Sequence, residues 1–113
     1  MHELGITRNV VAICLEQALL HGEQTRVTRV TLEVGRLCAV MPDALRFCFE
    51  ICAKDTRVDG AELEIVEIPG WARCRCCGHE MPLLQPFGRC RCGNADLELL
   101  AGEELKIRTM EVT

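Results

Sequence analysis

Arg73-Cys74-Arg75-Cys76-Cys77-Gly78 and Arg89-Cys90-Arg91-Cys92-Gly93 decide how this chain must fold. Nine cysteines occur in 113 residues, and these two strings hold five of them. Thiolate sulfur is a strong ligand for a d10 ion that accepts a tetrahedron, so two short cysteine pairs on opposed turns supply a structural zinc site. Gly78 and Gly93 each follow a cysteine, where a positive φ lets the turn aim backbone amides back at the sulfurs.

Two registers fit the strings. Matching the Arg-Cys repeat selects Cys74, Cys76, Cys90 and Cys92. Matching the Cys-Gly ends selects Cys74, Cys77, Cys90 and Cys92, and this register is preferred because the glycine has a backbone task. His79 adjoins the cluster as a supporting residue or an alternative ligand. An odd cysteine count argues against a disulfide framework, and Cys-Gly turns fit a single ion better than an iron–sulfur cluster. Zinc with four thiolates carries a net charge near −2, which Arg73, Arg75, Arg89 and Arg91 are expected to offset while lowering the thiol pKa values. The same arginines could grip nucleic acid, but a net charge of −4, a pI near 5.4 and no basic run elsewhere argue against it.

Outward from the cluster, the chain reads as α+β. Leu4 to Leu20 has Val11, Cys14, Leu15 and Ala18 at helical spacing and stops at His21-Gly22. Val30, Leu32 and Val34 alternate with Arg29, Thr31 and Glu33 as in a half-buried strand. Met41-Pro42-Asp43 opens a second helix whose apolar stripe is Leu45, Cys48, Phe49 and Cys52; those cysteines, with Cys14 and Cys38, read as packing residues. A strand follows from Leu63 to Ile68, its alternation slipping between Ile65 and Val66, and Pro69-Gly70 closes the first lobe. Trp71 to about Leu99 has too few apolar residues for a core of its own, so metal is expected to hold it together. Leu105 to Val112 reads as a returning strand. The expected architecture is two helices on a small three-stranded sheet, with a zinc-ribbon-like lobe inserted before the last strand. Residues 1–70 plus 104–113 form the first domain and residues 71–103 the zinc domain.

No apolar run approaches a membrane span, and Glu3, Arg8 and Glu16 exclude a secretory leader in the first twenty residues. Scattered unpaired cysteines suit a reducing cytoplasm. No phosphate-binding glycine loop and no catalytic constellation is present.

The start, Met1-His2-Glu3, can chelate. The terminal amine, the His2 amide and the His2 imidazole close adjoining rings on one ion, and the Glu3 amide or carboxylate, or solvent, completes a plane suited to Ni(II) or Cu(II). This start, the helix to Leu20, the stretch from Glu33 through Gly35-Arg36-Leu37-Cys38 to Glu50, and the late cysteine cluster together closely resemble the nickel metallochaperones of hydrogenase maturation, the HypA/HybF family. The resemblance covers nearly the whole chain. It implies nickel at Met1, His2 and Glu3 as transferred cargo, structural zinc on Cys74, Cys77, Cys90 and Cys92, and no enzymatic activity. It also implies a separate nickel-binding GTPase and a hydrogenase large subunit as partners, with monomer and homodimer both open. The family's second pair is usually C-x-x-C with proline after the first cysteine, whereas this chain has Cys90-Arg91-Cys92. Val40 stands where some members carry an acid. The different-class readings are a zinc-ribbon adaptor with an inert amino terminus, and a thiol redox switch acting through Cys76 and a zinc ligand.

Overall fold

The computed structural model describes residues 2–113, and the nickel expectation for Met1 lies outside them. In chain order the elements are α1 (His2–His21), β1 (Val27–Gly35), a 3-10 turn (Arg36–Cys38), α2 (Pro42–Ala53), β2 (Glu62–Ile68), β3 (Gly70–Cys74), β4 (Glu80–Leu83), β5 (Leu97–Ala101) and β6 (Leu105–Val112). They make two three-stranded sheets, ordered β2-β1-β6 and β4-β3-β5. The α+β class and the insertion of a metal-site lobe before the last strand are as the sequence predicts; the second sheet is an addition to that reading.

The chain divides into two compact units. One comprises Met1–Leu32, Val40–Ile65 and Ile107–Thr113; the other comprises Glu33–Ala39 and Val66–Lys106. The boundary between the two units falls within β2, between Ile65 and Val66, where its alternation slips.

In the first unit α1 buries Thr7, Val10, Val11, Cys14 and Ala18, the helical spacing that packs it on α2. Leu15, expected on that stripe, is only half-buried. Thr7 can be buried mid-helix because its hydroxyl donates back to the Glu3 and Leu4 carbonyls at 2.9 and 3.1 Å. The helix starts two residues earlier than expected, which places His2 and Glu3 in its first turn. α2 opens on Pro42 as predicted, but its buried face is Leu45, Phe49 and Ala53. Cys48 and Cys52 are half-buried rather than core, since they sit one position round the helix from the Leu45–Phe49 line.

β1 departs from simple alternation: Thr31 is buried as well as Val30 and Leu32. Its hydroxyl is satisfied by Glu64 at 3.1 Å, and the same carboxylate receives Arg29 at 2.7 Å. These bonds hold Glu64 below the usual carboxylate range, Arg29 contributing most and Thr31 next.

In the second unit Leu37, Ala72 and Leu83 are buried together, with Met81, Leu97 and Leu99 packed against them. The inserted lobe therefore has a small apolar core, contrary to expectation. It arises because β3 alternates strictly, Gly70, Ala72 and Cys74 inward and Trp71 and Arg73 outward, and because Leu37 comes from a distant part of the sequence. On the outward face Arg73 lies opposite Glu80 on β4 and Glu98 on β5, and bonds both, at 3.2 and 3.6 Å. The 3-10 turn is tied to the loop before β6 by Gly35 N donating to Glu104 O at 2.6 Å and Leu37 N to Gly102 O at 2.8 Å.

Candidate metal centre

β3 ends at Cys74, and the turn after it brings Cys77 round: the Gly78 amide donates to the Cys74 carbonyl at 3.0 Å and the Cys77 amide to the Cys74 sulfur at 3.5 Å. A second turn of the same kind has the Gly93 amide on the Cys90 carbonyl at 2.8 Å and the Cys90 amide on the Asn94 carbonyl at 2.8 Å. Gly78 and Gly93 have φ of 78° and 95°, so the positive φ expected after each pair is present. Their amides close the turns on carbonyls, however, and the amides that reach sulfurs are those of Cys77 on Cys74 and Asn94 on Cys92.

The four sulfurs of Cys74, Cys77, Cys90 and Cys92 all lie within 4.8 Å of one another, with Cys74–Cys92 at 3.7 Å and Cys77–Cys90 at 3.5 Å. A tetrahedron with Zn–S distances of about 2.3 Å has edges of about 3.8 Å, so the set fits a zinc ion with little adjustment. All nine cysteines are free thiols. The register ending in Cys-Gly is thus the one the fold assembles. Cys76 is exposed and outside the group, because it stands at the apex of the first turn, and His79 contributes its carbonyl to the Cys74 amide rather than joining the sulfurs. A C-x-C second pair still closes the site.

The arginines have other work than expected. Arg73 is paired across the sheet, Arg75 bonds Asp96 at 3.3 Å, and Arg89 donates to the Gly93 carbonyl at 2.6 Å. Charge on the sulfurs is met instead by the Cys77 amide and by Asn94, whose side-chain amide donates to the Cys74 sulfur at 3.4 Å and to the Asp96 carbonyl at 2.9 Å. These two donors, the Cys77 amide first, bring the Cys74 thiol down to about 6. Cys92, although the Asn94 amide draws it down, is pushed up to about 12 because its thiol donates to the Cys74 and Cys90 sulfurs and is desolvated. The cluster is therefore a mixed thiol–thiolate set that a cation converts to thiolates with loss of protons. Asn94 was not legible as a site residue; only its position after Cys92-Gly93 marks it. Of the remaining cysteines, Cys14 is fully buried and its thiol is raised to about 11 by that burial. Cys38 is half-buried and donates to the Glu104 carbonyl at 3.5 Å.

At the other candidate site, His2 is exposed on the first turn of α1 and Glu3 is half-buried. The Glu3 carboxylate accepts from the Met41 amide at 3.3 Å. Its own amide and that of Met41 hold it below the usual carboxylate range.

Fold and site together define a small metal-binding protein, built on a helix-and-sheet unit and a four-cysteine sheet unit. The family model described as hydrogenase/urease nickel incorporation, metallochaperone, HypA matches residues 1–112. Hydrogenase maturation factor HypA of Trichormus variabilis is 58% identical over 112 residues, covering 99% of this chain and 96% of that protein. The factor of the same name from Geobacter metallireducens is 44% identical, with 99% of both chains covered. The solution structure of the Ni metallochaperone HypA from Helicobacter pylori superposes with a TM-score of 0.70 at 24% identity, over 98% of this chain and 97% of that one, and shares the fold. The chain belongs to the HypA family of nickel-incorporation metallochaperones.

Proposed function

We propose that this chain binds Ni(II) through its amino-terminal segment and delivers it during maturation of a nickel-iron hydrogenase, while zinc on Cys74, Cys77, Cys90 and Cys92 is a resident structural ion. The observation that carries the nickel reading is the position of His2 and Glu3 in the exposed first turn of a long helix. The first amides of a helix have no intrahelical acceptor, so a cation that displaces their protons breaks no helix hydrogen bond. The Glu3 carboxylate is engaged by the Met41 amide and by its own amide, so solvent, or the Glu3 amide once its proton is lost, completes the plane begun by Met1 and His2.

A thiolate-bound ion differs from this in exchange rate. Four sulfurs in closed turns hold zinc firmly, whereas an open, nitrogen-rich chelate at a chain end gives up its ion to a partner with more ligands. That contrast suits a carrier rather than a catalyst. In the four-cysteine site the chain's own groups do the holding: the Cys77 amide and Asn94 fix the Cys74 sulfur and stabilise its charge. The receiving partners are a nickel-binding GTPase and the hydrogenase large subunit, and nine free thiols favour a cytoplasmic setting. No helix of the described residues is long and apolar enough to cross a membrane.

The test is transfer. A chain beginning at Met1, loaded with one equivalent of Ni(II), is mixed with the purified GTPase partner, and nickel and zinc are followed separately. Nickel should move while zinc stays. Equal loss of both metals, or retention of nickel by this chain, would contradict the assignment.

A further inference from the structure

Within the first unit a groove runs along α1 against α2. Its first stretch is walled by Leu4, Arg8, Val11 and Leu15 on α1 and by Ile51 and Cys52 on α2, and encloses 470 Å³, within the roughly 300–1,000 Å³ typical of ligand clefts. A second cavity shares Leu15 and Thr56 with it and continues the channel to Leu19, Arg57 and Asp59. From Leu4 to Leu19 a helix rises about 22 Å, at about 1.5 Å per residue. Apolar side chains remain open along the way: Ile51 is 54% and Leu19 57% exposed.

Charge decides the occupant. Arg8 forms no ion pair or hydrogen bond among the described residues, although it stands in the wall of this apolar channel. At the far end Arg26 and Arg57 donate to the Asp59 and Gly22 carbonyls and share the wall with two carboxylates, Asp55 and Asp59. The near stretch has Arg8 and no carboxylate in its wall, so its formal charge is positive at the end nearest His2. A second copy of this chain fills it poorly, since an isologous pair sets groove against groove and leaves a void. What fits is a ridge.

We infer that this channel is a docking groove for an amphipathic helix of a partner protein, apolar on one face and carrying a carboxylate opposite Arg8. A helix of three or four turns fills its length. Arg8 selects the acidic end, and the aliphatic residues of the helix cover Leu15 and Ile51. Because the groove begins at Leu4, two residues from His2, the docked partner lies beside the amino-terminal site. The identification of the partner as a nickel acceptor rests on the function proposed above; the groove itself does not.

The experiment uses the full zinc-loaded chain, isotopically labelled, and two synthetic helical peptides of about fifteen residues. Both carry leucine at i, i+4, i+7 and i+11; one has glutamate at both ends of that face and the other lysine. The glutamate peptide should shift amide resonances of α1 and α2 and bind about fivefold more tightly than the lysine peptide, as expected of a partly exposed ion pair near 1 kcal/mol. Arg8→Glu should reverse that order. Ile51→Asp should weaken both peptides about tenfold or more, and neither variant should alter helical circular dichroism or zinc content, since both side chains are exposed. Equal affinity for the two peptides, an order unchanged by Arg8→Glu, or shifts centred on the sheets would overturn the inference. So would a concentration-dependent dimer that Ile51→Asp dissociates, which would make a second copy the occupant. Nickel titration of the same samples keeps the two proposals separate: peptide docking without nickel binding removes the function and leaves the groove.

Discussion

Single residues at the cysteine cluster have separable duties. Cys77 is both a member of the four-sulfur group and the amide donor to Cys74, whereas Cys76, its neighbour, is exposed and outside the group. Cys77→Ser should therefore release zinc, measured by metal analysis after dialysis, and Cys76→Ser should keep one equivalent. Zinc lost from Cys76→Ser but kept by Cys77→Ser would restore the Arg-Cys register. Glu64 gives a pH test. Its folded pKa is lowered by Arg29 and Thr31, so its contribution to stability is present above the unfolded value and disappears as pH falls through the folded one. Glu64→Gln should lower the urea midpoint at about pH 7, and the difference from the parent chain should shrink as pH falls below the unfolded carboxylate range. The four clustered cysteines were legible from the paired spacing and the Cys-Gly ends, because the turn needs a positive φ at that place. Asn94 and the engagement of Arg73 in a cross-strand ion pair were not, because both depend on which parts of the chain lie side by side.

At the scale of elements, the strands with long alternating runs and the helices with a proline start or glycine stop were readable. β3, β4 and β5 were not, being four or five residues long and separated by the cysteine turns. β4 also carries Pro82, which an edge strand tolerates and a sequence pattern does not reveal. The helix stripes erred by one position, at Cys48 and Cys52, since a cysteine can stand on either side of a core boundary. The 3-10 turn and the loop before β6 approach closely in the second unit. Gly102 has φ of 112°, and a Cβ there would lie 2.7 Å from the Gly70 Cα and 2.8 Å from Leu37. Gly102→Ala should cost about 2–4 kcal/mol through strain and overpacking, read from chemical denaturation of the zinc-loaded protein. A change under about 0.5 kcal/mol would mean the loop shifts freely.

For the whole molecule, the small core around Leu37, Ala72 and Leu83 alters what metal removal should do. Chelation should speed amide exchange first at Cys77, Gly78, Cys90 and Gly93, whose turns are closed around the sulfurs, more than at β3. Exchange in α1 and α2 should be unchanged. Simultaneous loss of protection throughout β3, β4 and β5 would show that the core cannot hold the sheet without its ion. Metal retention should also fail in acid, because binding displaces thiol protons.

Nickel binding at an amino-terminal chelate distinct from the cysteine site is tested most directly by a calorimetric nickel titration of two zinc-loaded proteins. One begins at Met1; the other carries a short extension before it. The native-start chain should bind one equivalent of Ni(II) with zinc unchanged, and the extended chain should bind it far more weakly, since the terminal amine is no longer part of the chelate. Equal nickel affinity in the two proteins would contradict the account and move nickel away from His2 and Glu3.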